Sequence, residues 1–84
     1  MNPKLFRAIL ISLLQCDGVA MPEAALISSA QILSRPAEPT DGDILNALKE
    51  LEGRRLVEGV TDGLMLTRSW TLTTDGTHAA RKLR

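Results

Sequence analysis

The apolar residues of this chain change their period near Gly53, and that change limits the folds open to it. Up to Leu51 they recur every three or four positions, the spacing of one helix face. From Leu56 to Leu72 they fall into near-alternation, which places side chains on one face of a strand. A helical segment followed by a β-ribbon is an α+β arrangement rather than a helix bundle or a sandwich.

Asn2-Pro3 suits a helix start, with Asn as a cap and Pro at the first helical position. Leu5, Phe6, Ile9, Leu10, Leu13, Leu14 and Cys16 then cover about half the helix circumference. Lys4, Arg7, Ser12 and Gln15 line the rest, with Ile11 as an apolar intruder among them. So broad a stripe places the helix centrally or against a partner, and Asp17-Gly18 ends it. Val19-Ala20-Met21 is short and can pair on a sheet edge. Pro22-Glu23 opens a second helix whose apolar positions are Leu26, Ile27, Ala30 and Leu33; it stops ahead of Pro36 and Pro39.

Thr40-Asp41-Gly42-Asp43 carries the signature of a reciprocal cap, and Ile44, Leu48 and Leu51 form the buried row of a third helix, flanked by Leu45 and Ala47. Two strands follow, Leu56 to Val60 and Leu64 to Thr73, joined by Thr61-Asp62-Gly63. The second is longer than the first, so either a bulge shifts the register or the loop exceeds an Asp-Gly turn. In it Leu64, Leu66, Trp70 and Leu72 share a face that Arg68 interrupts. Thr73-Thr74-Asp75-Gly76 restarts a short helix that ends at the basic Arg81-Lys82-Leu83-Arg84.

Aromatic residues are 2% of the 84, so the interior is aliphatic and draws on fourteen leucines. A chain of this length is expected to be one domain, residues 1–84. The lone Cys16 excludes an internal disulfide and, with His78 the sole histidine, leaves no metal constellation or catalytic triad. The six glycines stand singly at turns, so no phosphate-cradling loop is present. Neither an enzyme, a cofactor nor a small-molecule site is expected. The longest apolar stretch, Leu5 to Leu14, is too short for a membrane span and has no cleavage-site pattern, so no membrane partner and a cytoplasmic location are expected. Net charge is zero, with −2 in residues 41–60 and +2 in residues 61–84, so a footprint for phosphate has to come from the chain ends.

Three helices followed by a hairpin is the order of a winged helix. The third helix Ile44-Leu45-Asn46-Ala47-Leu48-Lys49-Glu50-Leu51-Glu52, then Arg55-Leu56-Val57, then Trp70-Thr71-Leu72-Thr73-Thr74-Asp75-Gly76 resembles the pattern of MarR- and PadR-type bacterial transcriptional regulators. In those a leucine-rich recognition helix ends in glycine-leucine-valine, and the second wing strand runs into leucine-threonine-x-x-glycine. The resemblance implies a three-helix core, a two-stranded β-hairpin wing, a short C-terminal helix and binding to double-stranded DNA. Where the family has glycine before leucine-valine this sequence has Arg55, with Gly53 two residues earlier, so the helix end is expected to be built differently.

On that reading the exposed positions of the third helix are Gly42, Asp43, Asn46, Lys49, Glu50 and Gly53. Asn46 suits adenine and Lys49 a phosphate or guanine. Arg68 on the wing is the first candidate for the phosphate backbone, supported by Arg54, Arg55, Arg81, Lys82 and Arg84. Yet Asp41 to Glu52 holds four acids and one lysine, a charge balance that suits a protein partner instead, in an adaptor or assembly domain without DNA binding. A Glu50–Arg54 pair would mute one acid. Trp70 reads as a core plug, Cys16 as a small buried apolar group, and Asp41 and Asp43 as caps. Ile11, with Leu14 beside it, is the candidate contact for a homodimer or a partner protein.

Overall fold

The computed structural model describes residues 3–16, 19–35, 37, 39–62 and 67–83. Helix α1 (Pro3–Leu14) is followed by a short strand β1 (Met21–Pro22), helices α2 (Glu23–Leu33) and α3 (Asp41–Gly53), strands β2 (Val57–Asp62) and β3 (Thr67–Leu72), and helix α4 (Thr74–Lys82). This is a winged helix, α+β, with three core helices, a hairpin wing and a short final helix. Asn2, Asp17, Gly18, Pro36, Gly63, Leu64, Leu66 and Arg84 lie outside the described residues.

Helix α1 packs against α2, α3, α4 and β3, the central position its broad stripe implied. Leu5, Phe6, Ile9, Leu10 and Leu13 are buried, joined by Ala8. Ser12, expected on the polar side, is instead 1% exposed. Its hydroxyl shares a 2.8 Å hydrogen bond with the Ser29 hydroxyl of α2, so two small polar groups satisfy each other at a close helix crossing. Cys16 is half-buried rather than a core group, its thiol directed at the Ser12 carbonyl, 3.6 Å away.

Leu26 and Ala30 of α2 are buried, but Leu33 is 44% exposed and so does not complete the row expected of it. It stands at the helix end, where the chain turns away into the connection to α3. That connection runs over residues 34–40, as its two prolines implied. At its far end Thr40 caps α3: its hydroxyl accepts from Asp43 N at 3.1 Å, while Asp43 Oδ2 accepts from Thr40 N at 3.1 Å. Ile44, Ala47, Leu48 and Leu51 of α3 are buried.

The sheet has three strands in the order β1-β3-β2, not the two of a bare hairpin. Met21 pairs with Trp70 and Pro22 with Ser69, so the short segment after α1 does take the sheet edge. Strands β2 and β3 pair without interruption from Val57↔Leu72 to Asp62↔Thr67. Among the described residues no bulge shifts this register, and Asp62 belongs to the strand rather than to a two-residue turn.

The end of α3 is closed by a Schellman motif: Leu56 N donates to Leu51 O and Arg55 N to Glu52 O, both at 3.0 Å. The left-handed residue at its heart is Arg55, with φ of 60°. The missing glycine therefore does not change how the helix ends. An arginine adopts the backbone conformation that favours glycine. The turn is then gripped by α4, whose cap Thr73 donates its hydroxyl to Arg55 O at 2.6 Å and its N–H to Leu56 O at 3.1 Å. The same hydroxyl accepts from Gly76 N at 3.0 Å. Gly76 lies so close that a side-chain carbon there would collide with the Leu56 carbonyl. Leucine-threonine-x-x-glycine is thus a clamp between α4 and the end of α3.

Candidate nucleic-acid interface

Burying Ile44, Ala47, Leu48 and Leu51 turns the opposite face of α3 outward. Gly42, Asp43, Asn46, Lys49, Glu50 and Gly53 are all exposed on it, as their spacing requires. Two of the four acids have intramolecular work. Asp43 is held in the capping box, and Asp41 Oδ1 accepts from Gln31 Nε2 of α2 at 2.9 Å. The same amide reaches Pro39 O at 3.2 Å, tying the α2–α3 connection to both helices. Glu50 remains outward beside Asn46 and Lys49.

The wing is fixed to the core through Trp70, which is 1% exposed. Its indole Nε1 donates to Glu23 Oε1 in the first turn of α2, at 3.2 Å. Arg68, two residues away on the same face of β3, lays its guanidinium over the indole, 5.0 Å from the ring centroid. Gly59 lies opposite Trp70 on β2 and leaves room for this stack. A side-chain carbon at Gly59 would stand 3.1 Å from Arg68 Nε, 3.2 Å from Trp70 Cζ3 and 3.3 Å from Glu52 Oε2. The last turn of α3 and the wing cation therefore meet at one point.

Among the sequence candidates, Arg68 and the last turn of α3 are thus brought together, with Arg55 exposed at the turn that follows. Arg54 leans the other way, its guanidinium 5.6 Å from the centroid of Phe6 on α1. Ile11 is half-buried in a groove between α1 and the end of α2, whereas Leu14 packs against the core. Two contributors escaped the sequence reading. Glu23 reaches Trp70 across 47 residues of chain, for which no local signal exists. Gly59 did carry one, since an isolated glycine inside a strand marks a close approach. Among the described residues no group of His, Cys, Asp or Glu could hold a metal ion, and no helix is long and apolar enough to cross a membrane.

The winged-helix fold these elements define is shared with solved transcription regulators. A mutant of MepR from a multidrug-resistant Staphylococcus aureus clinical isolate superposes with a TM-score of 0.77 at 18% identity, over 94% of this chain and 53% of that one. MepR of S. aureus in complex with DNA gives 0.72 at 19% identity, over 98% and 60%. BpsR of Bordetella bronchiseptica, whose DNA binding is regulated by 6-hydroxynicotinic acid, gives 0.71 at 15% identity, over 99% and 56%. The chain thus spans between about half and three-fifths of the length of these regulators. No family model and no curated protein matches its sequence.

Proposed function

We propose that this chain is a winged-helix DNA-binding module of a bacterial, cytoplasmic transcription regulator. Helix α3 enters the major groove with Asn46 and Lys49 toward the bases and phosphates, and the wing brings Arg68 to the backbone. Arg55 extends the cationic end of α3, while Arg54 is turned toward Phe6 of α1. The observation that carries this reading is Arg68 placed over the ring of the buried Trp70 beside the last turn of α3. A cation oriented in advance loses less rotamer freedom when a phosphate arrives. The fold shared with DNA-bound MepR supports the same reading.

A second reading, a protein-contact domain that binds no DNA, draws on Glu50, which stands exposed among the residues meant for the groove. Titration of a labelled mixed-sequence duplex at low salt separates the two. The DNA reading expects Lys49→Ala and Arg68→Ala each to weaken binding by about three- to tenfold, and Asn46→Ala to reduce discrimination between sequences. No binding by the unaltered protein would select the second reading.

A further inference from the structure

Among the described residues the exposed large apolar side chains are Val19, Ile32, Leu33, Val60 and Leu83, and two of them are adjacent at the end of α2. Ile32 is 58% exposed and Leu33 44%. Leu33 lines a groove against α1 with Ala8, Ile11, Ser34 and Ala37, and its cations are Lys4, Arg7 and Arg35. Ile32 lines an adjoining depression with Ser28, Gln31 and Pro39, and the two hollows share Arg35 and Ala37. Neither contains an acid among its described lining residues, in a chain whose acids and bases are equal in number. Two polar groups of the floor are already engaged: Ser34 Oγ donates to Ala30 O at 2.7 Å, and the Gln31 amide is held by Pro39 and Asp41. The described lining residues thus present aliphatic surface with basic side chains among them.

We infer that this continuous surface of α1 and α2 docks an acidic amphipathic helix of another protein, which sets its aliphatic row on Ile11, Ile32 and Leu33 and its carboxylates against Arg7, Arg35 and Lys4. Charge selects this occupant. A second copy meeting the same face about a two-fold axis would set these three cations against themselves. A second copy offering its acidic α3 instead would cover the helix face proposed for DNA in a head-to-tail contact. The two hollows in series suit a segment several turns long better than a compact small molecule.

Two labelled helical peptides test this, each of about fourteen residues with leucines at the spacing of one helix face. One carries Glu and the other Lys on the flanks. Fluorescence anisotropy gives affinity, and amide NMR shifts locate the contact on the full chain. The Glu peptide is expected to bind, to shift amides in residues 4–11 and 32–37, and to weaken as salt rises. The Lys peptide should bind about tenfold less well, and Arg7→Glu or Leu33→Asp should each weaken the Glu peptide by about tenfold. Both side chains are exposed, so the fold survives these changes, and thermal unfolding of each variant verifies it. Equal affinity for the two peptides, no binding of either, or shifts elsewhere would overturn the proposal. So would sedimentation showing self-association that Leu33→Asp abolishes, which makes a second copy the occupant. Octanoate shifting the same amides where the Glu peptide does not would assign the groove to a small anion and equally overturn it.

Discussion

The Thr73 hydroxyl donates to the carbonyl of Arg55 at 2.6 Å, and Arg55 is the residue held in the left-handed conformation. One side chain at the start of α4 thus stabilises the strained turn that separates α3 from the wing. The orientation of the wing relative to α3 is set at this joint, which makes it the first place to test the architecture.

Replacing Arg55 by glycine relieves a left-handed backbone that costs an L-residue about 1–2 kcal/mol, partly offset by the freer unfolded chain. Arg55→Gly should raise stability by about 1 kcal/mol in urea unfolding while weakening duplex binding through the lost charge. A variant both less stable and equally good at binding DNA would contradict the assigned turn and the assigned role together.

Gly76 and Gly53 make opposite predictions from the same substitution. Alanine at Gly76 drives a methyl group into the Leu56 carbonyl and should destabilise by about 3 kcal/mol, the upper end of overpacking. Nothing lies within 4 Å of a side-chain carbon at Gly53, so alanine there should stabilise α3 by about 0.5–1 kcal/mol. Equilibrium unfolding of the pair checks both, and similar values for the two would show the clamp to be misplaced.

Glu23 accepts from the buried indole of the sole tryptophan. Glu23→Ala leaves that N–H without its partner and should cost about 1–2 kcal/mol, with a red-shifted Trp70 emission. Glu23→Gln keeps an oxygen acceptor and should recover most of the loss. Equal losses for the two variants would mean that the carboxylate acts by charge at the start of α2.

Glu50 stands exposed on the outward face of α3. Glu50→Gln should leave stability within about 0.5 kcal/mol and strengthen binding to a duplex two- to threefold or so at low salt. An unchanged affinity would place this face of α3 away from the phosphates.

Most of the fold was legible because it follows from periodicity and from local chemistry. Thr40 with Asp43, the row Ile44–Leu48–Leu51, and Thr73 ahead of Gly76 each announce themselves within a few residues. Ser12 was misread because only its partner Ser29, on another helix, makes its burial favourable. Leu33 was misread because the spacing that starts at Leu26 says nothing of where the neighbouring helix ends. Arg55 hid a glycine-like position behind a side chain that seldom takes it. The candidate site was legible as residue types, since Asn46, Lys49 and Arg68 are exposed as their positions imply. The stacking of Arg68 on Trp70 beside Glu52 depends on three elements meeting and has no counterpart in any local pattern.

The salt dependence of duplex binding is the most direct test of the DNA-binding account. If Lys49, Arg55 and Arg68 each neutralise a phosphate, the logarithm of the association constant should fall with the logarithm of salt concentration with a slope of about −3 per chain. Removing Arg68 should reduce that slope by about one. Binding that is absent at low salt, or that does not change as salt rises, would contradict it.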